Sequence, residues 1–204
     1  MKFLAAAGAL MLLIEAADAA VKLEFAPNVK GEVNVTPDST PGWIPSIGLR
    51  QQAIKIVEML VDALEGGCYA EAYGLLSDVN KRAQTLAQFT QNEEKFRILA
   101  GPVKFWRVLK ITWTKDSVRA PFPGTYAAID LAAQFANIDR DCGYIVVYQQ
   151  ADSSDFKIMR RENNYLDNAT ARAIEQKNSS AEVVKAWAQL SRHCPNYVAP
   201  VDAR

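Results

Sequence analysis

Between residues 103 and 163 the chain alternates, and that alternation limits what it can fold into. In VKFWRVLKITWTK (103–115) the apolar residues Val103, Phe105, Leu109, Ile111 and Trp113 share one side. In GTYAAIDLAAQF (124–135) Ala127, Ile129, Leu131, Ala133 and Phe135 do the same. GYIVVYQQ (143–150) and FKIMRREN (156–163) read as two further strands. A period of two marks half-buried strands. The links are short: APFPG, a loop holding Asp139, Arg140 and Asp141, and ADSSD. Short links join antiparallel neighbours, so these segments predict a four-stranded antiparallel meander.

Helical spacing precedes the strands. Leu49, Ala53, Ile56, Val57, Leu60 and Leu64 fall on one face, and Gly66-Gly67 ends that helix. Tyr69, Ala72, Tyr73 and Leu76 suggest a second, short one. Thr85-x-x-Gln88 and Thr90-x-x-Glu93 are capping boxes; the second is the stronger start for a helix running through Phe96 and Leu99 to Gly101-Pro102. Two helical stretches close the chain, 167–177 and 180–192. The latter carries a Ser179-x-x-Glu182 cap and a Val183, Trp187, Leu190 stripe. Helices first and strands second predict an α+β domain over 49–166, with N-terminal helices on one face of a curved antiparallel sheet and a C-terminal helical extension over 167–204. No GxGxxG or GxxxxGK[ST] motif is present, which argues against a doubly wound nucleotide-binding fold.

The first residues read as an export signal. Lys2 is followed by the apolar run Phe3–Ile14, too short to span a bilayer, and by Ala17-Asp18-Ala19. Residues 1–19 are expected to be removed before Ala20, leaving no transmembrane anchor and a periplasmic protein. Residues 20–48 hold Pro27, Pro37, Pro41 and Pro45 and read as an extended Pro/Gly-rich arm, with Trp43 folding back on the nearest apolar surface. The chain has 23 basic and 23 acidic residues, so it shows no electrostatic footprint for nucleic acid. Three cysteines, Cys68, Cys142 and Cys194, would enter an oxidising compartment, and one must stay unpaired. A Cys142–Cys194 disulfide is the expected pair, worth about 4 kcal/mol in the chain-entropy picture. No CxxC, CxxCH or His/Cys cluster supports thiol exchange, haem or zinc, so neither metal nor cofactor is expected.

The segments GGCYAEAYGLLS, EEKFRILAGPVKFWRV, PFPGTYAAIDLAAQFAN and SDFKIMRREN, in that order, resemble a bacterial secreted family catalogued as domain of unknown function 4019. The resemblance covers roughly residues 50–165. It departs at 156–163, where the family often has an aromatic, a Gly and a second aromatic and this chain has Arg160, Arg161 and Glu162. It implies a cystatin-like or NTF2-like cone fold, a superfamily that includes both enzymes and binding modules, so fold does not decide function.

Several residues stand out as site candidates. Arg107 interrupts the apolar face of its strand, where a charge is costly unless paired. It reads as a cation at the mouth of a cone-shaped pocket, binding a small acidic ligand, or as an arginine reaching water or Glu94. Tyr69 and Tyr73, four apart, would line that pocket or its core. On the second sheet face Tyr126, Ala128, Asp130 and Ala132 leave flat ground for another protein layer, either the Trp187 helix or a second subunit. His193, the only histidine, sits at a helix end, where it caps rather than catalyses. No Ser/His/Asp or Cys/His set can be assembled. The expectation is a non-enzymatic periplasmic binding or interaction module, with a homodimer or an envelope protein as possible partner. The alternative is a small-molecule isomerase or hydrolase acting in the cone.

Overall fold

The computed structural model describes residues 22–29 and 31–191. Two short strands, β1 (Leu23–Phe25) and β2 (Asn34–Val35), open the chain. Four helices follow: α1 (Ile47–Glu65), α2 (Tyr69–Gly74), α3 (Asp78–Ala83) and α4 (Leu86–Ala100). The long strands β3 (Val103–Lys115), β4 (Gly124–Phe135), β5 (Ile138–Gln150) and β6 (Phe156–Asp167) come next, and then α5 (Asn168–Lys177) and α6 (Ser180–Ser191). The fold is α+β. Strands β3 to β6 pair antiparallel in sequence order.

Among the described residues the sheet is nevertheless mixed and six-stranded, which corrects the four-stranded expectation. β1 and β2 lie parallel to β3 on its outer edge, with Leu23 opposite Trp106 and Val35 opposite Trp113. A strand edge leaves backbone donors and acceptors unpaired, and the arm satisfies them. Elements of two and three residues carry no readable period, so the sequence concealed them. The rest of the arm is tied down too. Thr36 N–H donates to Trp113 O and Thr40 N–H to Lys115 O, both at 2.9 Å. Ser117 Oγ donates to Asp38 Oδ2 at 2.5 Å. Trp43 stacks edge-on against Trp113 at 6.4 Å, as its expected fold-back requires.

One face of β4 behaves as the alternation predicts: Ala127, Ile129, Leu131, Ala133 and Phe135 are buried. α1 lays Ala53, Val57, Leu60 and Val61 into the same core. The Thr85/Gln88 box is the one that starts α4, with Gln88 N–H donating to Thr85 Oγ1 and Thr85 N–H to Gln88 Oε1. The helix runs through Thr90, so the stronger-looking second box is interior. The expected box at Ser179 and Glu182 is made at the head of α6. β5 starts earlier than predicted, because Asp139, Arg140 and Asp141 belong to the strand rather than to a loop.

Two bulges change which side chains face the core. Register shifts between Val108 and Lys110, so the buried face of β3 is Trp106, Val108, Ile111 and Trp113. Phe105 and Arg107 therefore lie on the other face, and the apolar-face placement of Arg107 is corrected. A bulge inserts one residue and flips the alternation on one side of it. A second shift, where Ile158 pairs Val147 and Arg160 pairs Val146, leaves Met159 extra in β6. Upstream Phe156 and Ile158 are buried; downstream it is Arg161 and Asn163 that line the helix-side cavities.

The second sheet face is partly covered. Trp187 of α6 is 2 % exposed, and the Arg140 guanidinium stacks on its ring at 4.3 Å. Leu190 and Leu166 pack on Cys142, whose partner across the sheet is the buried Ala132. The same-chain helix thus covers that end of the face. At the other end Tyr126 and Tyr148 stack at 4.6 Å. Ala128 and Asp130, between them, are half-buried.

Candidate binding site

β6 packs against α1 and α3, and after its bulge it presents Arg161 to α4. The opposing group is Glu93 of α4, whose Oε2 accepts from Arg161 Nη2 at 2.8 Å; the two side chains are 18 % and 13 % exposed. A charge this sheltered needs its partner, because either ion alone would face the desolvation cost unbalanced. The bulge itself is pinned by Asn80 of α3, whose Nδ2 donates to Ile158 O at 2.8 Å and to Met159 O at 2.9 Å. Asn80, Gln84, Phe89, Glu93, Arg161 and Asn163 wall a cleft of about 300 Å³. That lies within the range of small-ligand sites.

Two smaller spaces adjoin it, and Arg161 lines both. One, of about 30 Å³, is bounded by Glu65, Tyr69, Phe96 and Trp106. There Trp106 Nε1–H donates to Glu65 Oε1 at 3.2 Å. Burial raises the Glu65 carboxyl, while the Trp106 bond and the Arg97 charge draw it back. The other space, about 10 Å³, lies between Leu60, Val61, Leu64 and Asp141 and has room for about one water. Asp141 is 2 % exposed. Burial pushes its carboxyl up to about 7, against the pull of an Asn164 N–H at 3.1 Å and of the Arg161 charge.

The predicted site residues scatter. Arg107 pairs with Glu24 of β1 through Nε at 3.1 Å and Nη2 at 2.8 Å, and sits 5.0 Å over the Phe105 ring. Its partner is not Glu94, and the cleft does not include it. Tyr69 lines the narrow side space. Tyr73 does not offer its hydroxyl to the cleft; it donates to Gln84 O at 2.9 Å, and its ring packs on Phe89. Tyr126 donates to Phe122 O at 2.9 Å, which holds the β3–β4 loop. Burial raises the Asp130 carboxyl and the Lys110 charge lowers it. Cys68 is a free, exposed thiol. Residues 1–21, His193 and Cys194 lie outside the described residues. Among the described residues no group of three or more His, Cys, Asp or Glu could hold a metal ion, and no helix is long and apolar enough to cross a membrane.

Asp141, Glu93 and Arg161 escaped the sequence reading. Asp141 shares parity with Gly143, Ile145 and Val147, so carrying the alternation of β5 two residues further back would have placed it inside. Arg161 had no such signal, because only the bulge turns it inward.

Among known protein families, the one described as protein of unknown function (DUF4019) matches residues 57–159. No curated protein and no solved structure matches the chain.

Proposed function

The chain belongs to the DUF4019 family, whose description names no activity, and from that premise we propose that it is a non-enzymatic binding module whose ligand enters the cleft over Arg161. One observation carries the reading: a single sheltered arginine lines three adjoining spaces and is held by a single carboxylate. A small carboxylate, or the carboxyl end of a peptide, competes with Glu93 for the guanidinium fork. Asn80, Gln84 and Asn163 supply amides around it. Helices closing over one face of an antiparallel meander support retaining the NTF2-like likeness as part of this proposal.

The alternative, an isomerase or hydrolase, has Asp141 in its favour, since a carboxyl titrating near 7 suits proton transfer. Its space takes about one water and no substrate, so binding is the better reading. Export to the periplasm with removal of residues 1–19, the Cys142–Cys194 bond, and pairing with a second copy or an envelope protein belong to the same proposal. The disulfide is supported by Cys68 being a free thiol, which leaves Cys142 and Cys194 for each other.

The test is thermal-shift titration of the exported protein with acetate, succinate and a blocked-amine dipeptide. Glu93→Gln should strengthen binding, because Arg161 then loses its ion-pair partner, and Arg161→Gln should abolish it. Turnover of any substrate, or carboxylate responses unchanged by both variants, would overturn the reading.

A further inference from the structure

A second concavity lies at the far end of the sheet and shares no lining residue with the Arg161 cleft. It spans about 440 Å³ between the start of α3, the β5–β6 turn and the β3–β4 loop. Its walls are tied in place. Tyr148 Oη donates to Pro123 O at 2.8 Å, Phe122 N–H donates to Tyr126 Oη at 3.2 Å, and Ser77 N–H donates to Ile158 O at 2.9 Å. Rigid walls lower the ordering cost of binding. Val79 and Phe122 line it and stand 40 % and 42 % exposed. Exposed large apolar groups lining a preformed groove mark a contact surface.

The charges decide what it would contact. Asp78, Asp152 and Asp155 line the groove with Arg82 and Lys157. Among the described residues none of the five is in an ion pair, whereas Arg107, Arg140, Arg160 and Arg161 each have a carboxylate partner. Three carboxylates stand against two cations, so the groove has one acid in excess, and none of its carboxylates is bound in an ion pair among the described residues. We infer that this end of the sheet docks a peptide segment of a partner protein in which a basic residue lies between apolar ones. The basic side chain goes to Asp152 and Asp155 on the turn, and its apolar neighbours go to Phe122 and Val79. Complementary charge selects the partner and speeds encounter.

The experiment is ¹⁵N NMR titration of the exported protein with the acetylated, amidated tripeptide Phe-Lys-Leu and its Phe-Glu-Leu counterpart. The lysine peptide should shift amides of residues 78–82 and 148–155. The glutamate peptide should bind more weakly. Asp152→Asn with Asp155→Asn should weaken the lysine peptide by about fivefold, the range of exposed charge pairs. Equal affinity for both peptides, or no shift at millimolar peptide, would overturn the inference. So would shifts centred on Phe89, Glu93 and Arg161, which would assign the peptide to the other cleft. Binding to vesicles of equal parts phosphatidylcholine and phosphatidylglycerol, with no response to peptide, would reassign this end to a membrane.

Discussion

Asp141 shows how one carboxyl can make a protein sensitive to neutral pH. Its folded value lies near 7 and its ordinary value is 3.8. The folded chain thus holds a proton between those values that the unfolded chain has lost. Stability is fully present below about pH 4 and falls as pH rises toward 7. That difference corresponds to about 4 kcal/mol. Asp141→Asn keeps an acceptor for the Asn164 N–H and cannot ionise. Urea unfolding should show the variant gaining on the wild type from pH 4 to pH 8, and parallel pH profiles would refute this. Gly143, two residues along, has a different constraint. A Cβ there would press into the Glu162 carbonyl, which is backbone and cannot swing aside. Gly143→Ala should cost about 3 kcal/mol, the upper range for overpacking, read by the same unfolding curve. Nothing in the sequence separates Gly143 from an ordinary strand glycine, because the close approach comes from the neighbouring strand.

At the scale of elements, legibility followed period and length. The long helix α1 and the buried face of β4 were plain in the sequence because each repeats its period several times. α3 was not, since six residues hold fewer than two turns. β3 was read correctly at Ile111 and Trp113 and wrongly at Phe105 and Arg107, because a single inserted residue lies between them. The same defect hid Arg161 in β6. α6 is the element whose role was left open between two occupants of the second sheet face, and its Trp187 lies over the buried Arg140. Trp187→Ala removes that cover and should cost about 3–5 kcal/mol. Trp187→Phe keeps a ring for the guanidinium and should cost markedly less in urea unfolding. Equal losses would mean that the indole fills space and does not shield the charge.

Across the whole molecule, the sheet depends on contacts between its two halves. Glu24 and Arg107 are 83 positions apart. Deleting residues 20–35 would strip β1 and β2 from β3 and leave a long open edge. Open edges pair with other chains. Sedimentation should then show concentration-dependent association beyond that of the intact chain; an unchanged profile would show that the arm is dispensable to the edge. The class of fold was readable at this scale from the order of helices and strands alone. The mixed sheet was not, because the arm is too short to carry a pattern of its own.

The arm also sets an order of events during synthesis. Ser39 meets Lys115 across 76 positions, so the first strands made have no partner until most of the helices already exist. Through that interval residues 22–40 must wait as open chain without capturing a wrong edge. Pro27 and Pro37, which cannot donate to a ladder, and the lack of any long apolar run suit them to waiting. The segment that covers the edge of the sheet is therefore made before the strand it docks on, and it must be kept available until that strand arrives.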